Sequence, residues 1–112
     1  MRYAIPVSDG VLDQHFGHCQ AFALVDADED SKVVKSKEIV PSPGHQPGVL
    51  PGWLAEQGVS VVIAGGMGTR AQDLFWQSRI HVVIGAPSME PQEIVMEYLK
   101  GNLETGDNTC DH

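Results

Sequence analysis

Apolar residues are arranged differently in the two halves of this chain. In the first half they alternate between faces, the period of strands packed on a core. Arg2 to Val7 reads as a first strand, closed by the turn residues Ser8, Asp9 and Gly10. Val11 to Gln20 reads as a loop. Ala21 to Val25 reads as a second strand, with Phe22 and Leu24 on one face and Ala23 and Val25 on the other. The polar turn Asp26 to Ser31 leads into a third strand, Lys32 to Val40, and the three together predict an antiparallel meander. The acidic residues Asp26, Asp28, Glu29 and Asp30 lack the spacing and distal Glu of a calcium loop, so they read as a solvated hairpin turn.

Pro41 to Gly52 breaks the pattern. Its four prolines and three glycines forbid a regular strand or a long helix. A short helix is expected over Leu50 to Gln57, with Pro51 in its first turn and Gly58 at its C-cap.

Beyond this segment the apolar residues run together. Val59 to Ala64 is almost wholly apolar and rich in β-branched residues, as a strand buried on both faces requires. Gly65, Gly66, Met67 and Gly68 follow, then a helix with Ala71, Leu74 and Phe75 at helical spacing. Ile80 to Ile84 is a further apolar strand, in which His81 reads as structural. In the last helix Ser88 is a candidate cap, Pro91 lies in the first turn, Ile94, Val95, Tyr98 and Leu99 face inward, and Gly101 is the stop. Residues 102–112 read as a flexible polar tail behind a single domain spanning 1–101.

The order β-β-β-α-β-α-β-α predicts an α/β fold. The expected form is a mixed five-stranded sheet with flanking helices. Its expected strand order is 3-2-1-4-5, with the first strand central and the Lys-rich third strand at an edge. In such sheets ligands bind beyond the C-terminal ends of the parallel strands.

Composition narrows the function classes. Fifteen acidic residues stand against seven basic ones, a net charge of −8, which argues against nucleic-acid binding. No apolar run is long enough to span a membrane, and the opening residues lack a signal-peptide core. A cytoplasmic protein with Cys19 and Cys110 as free thiols is expected.

Two groups of residues could carry chemistry. A glycine loop between a buried strand and a helix lets backbone N–H groups and the positive helix end approach an anion, with Thr69 and Arg70 as side-chain donors. The alternative is that Gly65, Gly66 and Gly68 only permit a tight turn. The second group is His15, His18 and Cys19 in one loop, with His45 in the Pro-Gly segment and Cys110 and His112 at the end of the chain. Imidazole and thiolate suit zinc, copper, iron and Fe–S clusters, although no spacing matches a zinc finger. Two solitary cysteines cannot supply a Cys₄ cluster site. The alternative readings are a hydrogen-bonded loop for His15 and His18 and a disordered tail for Cys110 and His112.

The predicted topology is shared with ribonuclease H-like hydrolases. Those enzymes place a metal-binding carboxylate in the first strand, and Arg2 to Val7 contains none.

Three segments taken together carry a resemblance: His15-Phe16-Gly17-His18-Cys19, Gly44-His45-Gln46-Pro47-Gly48-Val49-Leu50-Pro51, and Ala64-Gly65-Gly66-Met67-Gly68-Thr69-Arg70-Ala71. In this order and spacing they resemble the dinitrogenase iron–molybdenum cofactor biosynthesis family, which includes NifX- and NafY-like proteins and the orange protein. The resemblance covers Met1 to about Lys100. It implies a ribonuclease H-like fold and a non-covalently bound metal–sulfur cluster containing molybdenum, iron or copper. It also implies a carrier or assembly role rather than catalysis, with cluster-assembly or recipient proteins as partners. On that basis His15, His18, Cys19 and His45 are the expected metal ligands or their neighbours, and Gly65, Gly66, Met67, Gly68, Thr69 and Arg70 the expected anion cradle. The competing readings are a protein-interaction or regulatory module of the same fold with no cluster, and a ribonuclease H-like hydrolase.

Overall fold

The computed structural model describes residues 1–14, 16, 19–43, 49–103, 105 and 106. In chain order the elements are β1 (Arg2–Ser8), β2 (Val11–Leu12), β3 (Ala21–Asp28), β4 (Val33–Pro41), α1 (Val49–Glu56), β5 (Val61–Ile63), α2 (Thr69–Gln77), β6 (His81–Val83) and α3 (Pro91–Lys100).

The sheet has six strands rather than the expected five. Along it the order is β4-β3-β1-β5-β6, with β2 off this path and paired to β1. β3 is antiparallel to both β1 and β4, whereas β5 is parallel to both β1 and β6. The additional strand is the two-residue β2, whose Leu12 and Val11 pair with Val7 and Ser8 across a turn at Asp9 and Gly10. Both turn residues have positive φ, 55° and 86°. Asp-Gly is a preferred pair for such a hairpin, because both central residues must leave the usual backbone region. Two residues are too few for alternation to reveal a strand, so the turn was the only signal.

β2 explains how the far end of β1 is covered. β3 pairs along one side of β1, while β5 pairs on the other side only with Tyr3 and Ala4. β2 takes Val7 and Ser8 on that second side, so it continues the sheet where β5 has ended.

The core lies in two layers. Ala4, Phe22, Leu24 and Val62 join Leu54 of α1 and Phe75 of α2 in one cluster. Tyr3, Ile5, Ala23, Val25, Val61 and Ile63 join Ile94 and Val95 of α3 in the other. Neighbouring strand residues thus divide between the faces, as pleating demands. Glu90 is the N-cap residue of α3, without a side-chain cap bond, with Pro91 opening the helix and Gly101 ending it. Ser88 is not the cap, because its hydroxyl accepts a hydrogen bond from Gln14 Nε2 at 3.0 Å. β4 forms one sheet edge, and Val33 and Ile39 are exposed there. β6 forms the other, and its His81 is exposed, with its ring edge-on to Trp76 at 5.6 Å.

Candidate functional site

The pairing register brings four connections to one end of the sheet. β1 ends there beside the start of β3, since Val7 pairs with Ala21, and Ala21 in turn pairs with Pro41 at the end of β4. β5 and β6 run parallel to β1 and finish at the same end. The segment after β2, the segment after Pro41, the glycine loop after β5 and the residues after β6 therefore all leave from this end, the position where parallel sheets bind ligands.

The segment after β2 is closed at its base by Ser8. The Ser8 hydroxyl donates to Asp13 Oδ2 at 2.8 Å and accepts from the Gln20 N–H at 3.1 Å. The Asp13 N–H donates to the Pro6 carbonyl at 2.9 Å, and the Gln20 N–H also reaches the Val7 carbonyl at 3.1 Å. Between these two ties, Phe16 and Cys19 are buried in the layer beneath α1 and α2. Phe16 meets Phe22 and Phe75 edge to face, with ring centres 5.9 and 5.5 Å apart.

Gln14 ties this segment to the sheet end. Its side-chain Nε2 donates to the Ala86 carbonyl at 3.1 Å as well as to the Ser88 hydroxyl. Its side chain also covers Gly65. A Cβ on Gly65 would overlap Gln14 Oε1 and stand 2.7 Å from Gln14 Cδ. A side chain at residue 65 would therefore have to displace the end of the Gln14 side chain.

The glycine loop continues from there. The Gly65 carbonyl accepts from the Gly85 N–H at 2.7 Å. Gly66 and Met67 are buried, with the Met67 side chain in the core. Gly68 is the N-cap of α2, without a side-chain cap bond, and Thr69 and Arg70 are exposed on the first turn. Gln72 braces the loop, its side-chain Nε2 donating to the Met67 carbonyl at 2.9 Å. The six expected cradle residues therefore divide: Gly65 packs on Gln14, Met67 belongs to the core, and the exposed helix start holds Thr69 and Arg70. A positive helix end with an adjacent guanidinium favours a negatively charged partner.

Cys19 faces the core. Burial, and then the Asp13 carboxylate, push its thiol up to about 11, partly opposed by a hydrogen bond with Ser42. A thiol held protonated at neutral pH is a poor metal ligand, since metals bind the thiolate. His15, His18 and His45, along with Cys110 and His112, lie outside the described residues. Among the described residues no group of three or more His, Cys, Asp or Glu is arranged to hold a metal ion. Sequence reasoning missed Ser8, beyond its role in a turn, and Gln14. A lone Gln carries no pattern, and only the packing reveals its role.

Two hollows lie near the opposite sheet end, at the starts of β1, β5 and β6. One, of about 300 Å³, is bordered by Asp28, Glu29, Asp30 and Lys35. The other, of about 490 Å³, is bordered by Tyr3, Ser60, His81 and Tyr98. The amino terminus lies between them, donating to the Ala27 carbonyl at 3.2 Å and 3.9 Å from Glu29. These hollows share no residue with the convergent loops, which hold the better candidate.

Residues 1–101 match the model of the family described as dinitrogenase iron-molybdenum cofactor. An uncharacterized protein of Methanocaldococcus jannaschii, MJ0580, is 30% identical over 109 residues, covering 93% of this chain and 90% of its own. The crystal structure of PH0822 superposes with a TM-score of 0.84 at 30% identity, covering 94% of each chain. The apo form of the orange protein from Desulfovibrio gigas superposes with a TM-score of 0.73 at 21% identity, covering 96% of this chain and 93% of that one. At that identity the likeness concerns the fold alone.

Proposed function

The chain belongs to the dinitrogenase iron-molybdenum cofactor family, and from that premise we propose that it binds and carries a metal–sulfur cluster without catalysing a reaction. The cluster is cargo, containing molybdenum with iron or copper, and a cluster-assembly or recipient protein would take it over. In this reading residues 1–101 form the binding unit and residues 102–112 a polar extension, in a cytoplasmic protein. The sheet is then a ribonuclease H-like frame whose β1, Arg2–Ser8, lacks the acidic residue that two-metal hydrolysis requires.

The single observation that carries this reading is the match of residues 1–101 to the cofactor family, and the packing of Gln14 on Gly65 joins the described start of the His15 segment to the glycine loop. Gln14 immediately precedes His15, and adjacent Cα atoms are about 3.8 Å apart. The Ser42 N–H donates to the Gln20 carbonyl at 3.2 Å, which joins the described ends of the two histidine-bearing segments. Imidazoles would serve as ligands or hydrogen-bond donors, while the Gly68–Thr69 amides and Arg70 would face the anionic sulfides. Cys19 anchors its loop in the core.

The test is retention of a cluster after anaerobic reconstitution with molybdate, copper and sulfide. His15→Ala and His45→Ala should each lower retention, and Cys19→Ala should affect stability more than retention. Retention unchanged in both histidine variants would contradict the proposed ligand roles.

A further inference from the structure

We infer that the hollow at the starts of β1, β5 and β6 is a binding site for a small, uncharged aromatic molecule carrying a hydrogen-bond acceptor, to which the Tyr3 hydroxyl donates. The hollow has a volume of about 490 Å³, within the range of about 300–1,000 Å³ usual for small-molecule sites. It lies at the end of the sheet opposite the glycine loop and is independent of cluster carriage.

Tyr3 is the central residue. It borders the hollow yet is only 1% exposed. Its ring packs edge to face on Tyr98, with centres 5.9 Å apart. Its hydroxyl has no hydrogen-bond partner among the described residues. Among the same residues, no side-chain oxygen that is closed off from solvent lacks a partner. The trace of surface that Tyr3 keeps must therefore include the hydroxyl. A buried phenol usually finds a partner, whereas this one presents an unused donor to the hollow.

The pairing register fixes the arrangement. Tyr3 pairs with Val61, which pairs with His81, so the three stand side by side across β1, β5 and β6. The Ser60 N–H donates to the Arg2 carbonyl at 2.9 Å, and the His81 N–H to the Ser60 carbonyl at 3.0 Å, which holds the rim. Tyr98 and Leu99, in the last turn of α3, form the wall. The site is thus built on strand and helix residues and is formed before a guest arrives.

These surroundings select the guest. Val61, Leu99 and the two tyrosine rings offer apolar surface, on which an aromatic ring gains burial and edge-to-face contact. A charge brought against that surface would lose its hydration. The charged groups at the rim, the Glu29 carboxylate and the amino terminus, lie 3.9 Å apart and answer each other. Burial, and then Glu29, raise the Tyr3 hydroxyl above its usual value of 10.0, so it remains a donor at neutral pH. The guest must supply the acceptor, and the Glu29 charge disfavours an anion.

The experiment titrates the full chain with three probes and follows chemical shifts by nuclear magnetic resonance. Quinoline has a ring-nitrogen acceptor, naphthalene has the same shape without one, and 2-naphthoate adds a negative charge. Quinoline should shift Ser60, Val61 and His81 saturably, and 2-naphthoate should bind more weakly. Tyr3→Phe should weaken quinoline about fivefold, the worth of one hydrogen bond, and leave naphthalene unchanged. It should also be at least as stable as wild type, because the hydroxyl has no protein partner to lose. A clear loss of stability in Tyr3→Phe would show that the hydroxyl is already paired and would overturn the inference. So would quinoline that causes no saturable shift at these residues, or quinoline and naphthalene affinities that Tyr3→Phe changes equally. Binding of 2-naphthoate as tight as that of quinoline would overturn the exclusion of anions. Shifts at Tyr98 and Leu99 that change on dilution without any probe would mean that a second copy of the chain fills the hollow, and would overturn the small-molecule assignment.

Discussion

The Gly106 N–H donates to the Gly85 carbonyl at 2.7 Å, and the two backbones are so close that a Cβ on Gly85 would stand 2.9 Å from the Gly106 nitrogen. Gly85 also has φ +85°, a conformation that costs an L-residue about 1–2 kcal/mol. Gly10 isolates that cost, since it has φ +86° and nothing within 4 Å of its Cβ position. Gly85→Ala should therefore destabilise the protein clearly more than Gly10→Ala when urea midpoints are compared. Equal losses would mean that residues 105–106 do not dock on Gly85.

Phe16 is the hydrophobic plug of the loop between β2 and β3. Phe16→Ala removes a ring 7% exposed together with its contacts to Phe22 and Phe75. The expected cost is about 3–5 kcal/mol, the range for emptying a buried Phe site. Chemical denaturation checks this, and a loss below about 1 kcal/mol would place the ring outside the core.

Cys19 should be chemically silent in the folded protein. In a Cys110→Ser background, a disulfide reagent at pH 8 should label it only as fast as the structure opens, because burial raises the thiol from 9.0 to about 11. The sign for stability follows from the raised value. The unfolded thiol ionises first, so stability is unaffected below about 9 and falls as pH rises towards about 11. Prompt labelling of the native protein at pH 8 would show the thiol to be exposed.

Arg2 and Asp26 form a two-pronged ion pair at the opposite end of the sheet, with N–O distances of 3.0 and 3.1 Å, and Arg2 also donates to the Gln57 carbonyl at 2.9 Å. The hydrogen bonds from Arg2, then that from Ser36, hold the Asp26 carboxyl below its usual value of 3.8. The stabilisation is present above that value and is lost as pH falls through the lower folded-state value. Asp26→Asn should cost about 0.5–1 kcal/mol at neutral pH, as befits a partly exposed pair. It should also flatten the acid limb of the stability curve, and an unchanged acid limb would show that the pair contributes nothing measurable.

The parts of this fold that were legible in the sequence are those with sustained patterns. Phe22 and Leu24 against Ala23 and Val25 revealed a strand between two layers, and Val61, Val62 and Ile63 revealed one buried on both faces. β2 was missed because Val11–Leu12 is shorter than any period. Ser88 suggested a helix cap, but Pro91 opens the helix behind Glu90, leaving Ser88 free to receive Gln14. The loops of the candidate site were legible as motifs, but Gln14 was not. Its importance comes from a contact across 51 positions, with Gly65, which local sequence does not encode.

The most direct measurement is the metal content of the wild-type chain after anaerobic reconstitution with molybdate, copper and sulfide, followed by gel filtration. A carrier should elute coloured, with molybdenum and copper near stoichiometric with protein. Colourless protein, with both metals at background while the fold is intact by circular dichroism, would contradict a carrier role for such a cluster and favour an interaction module of the same fold.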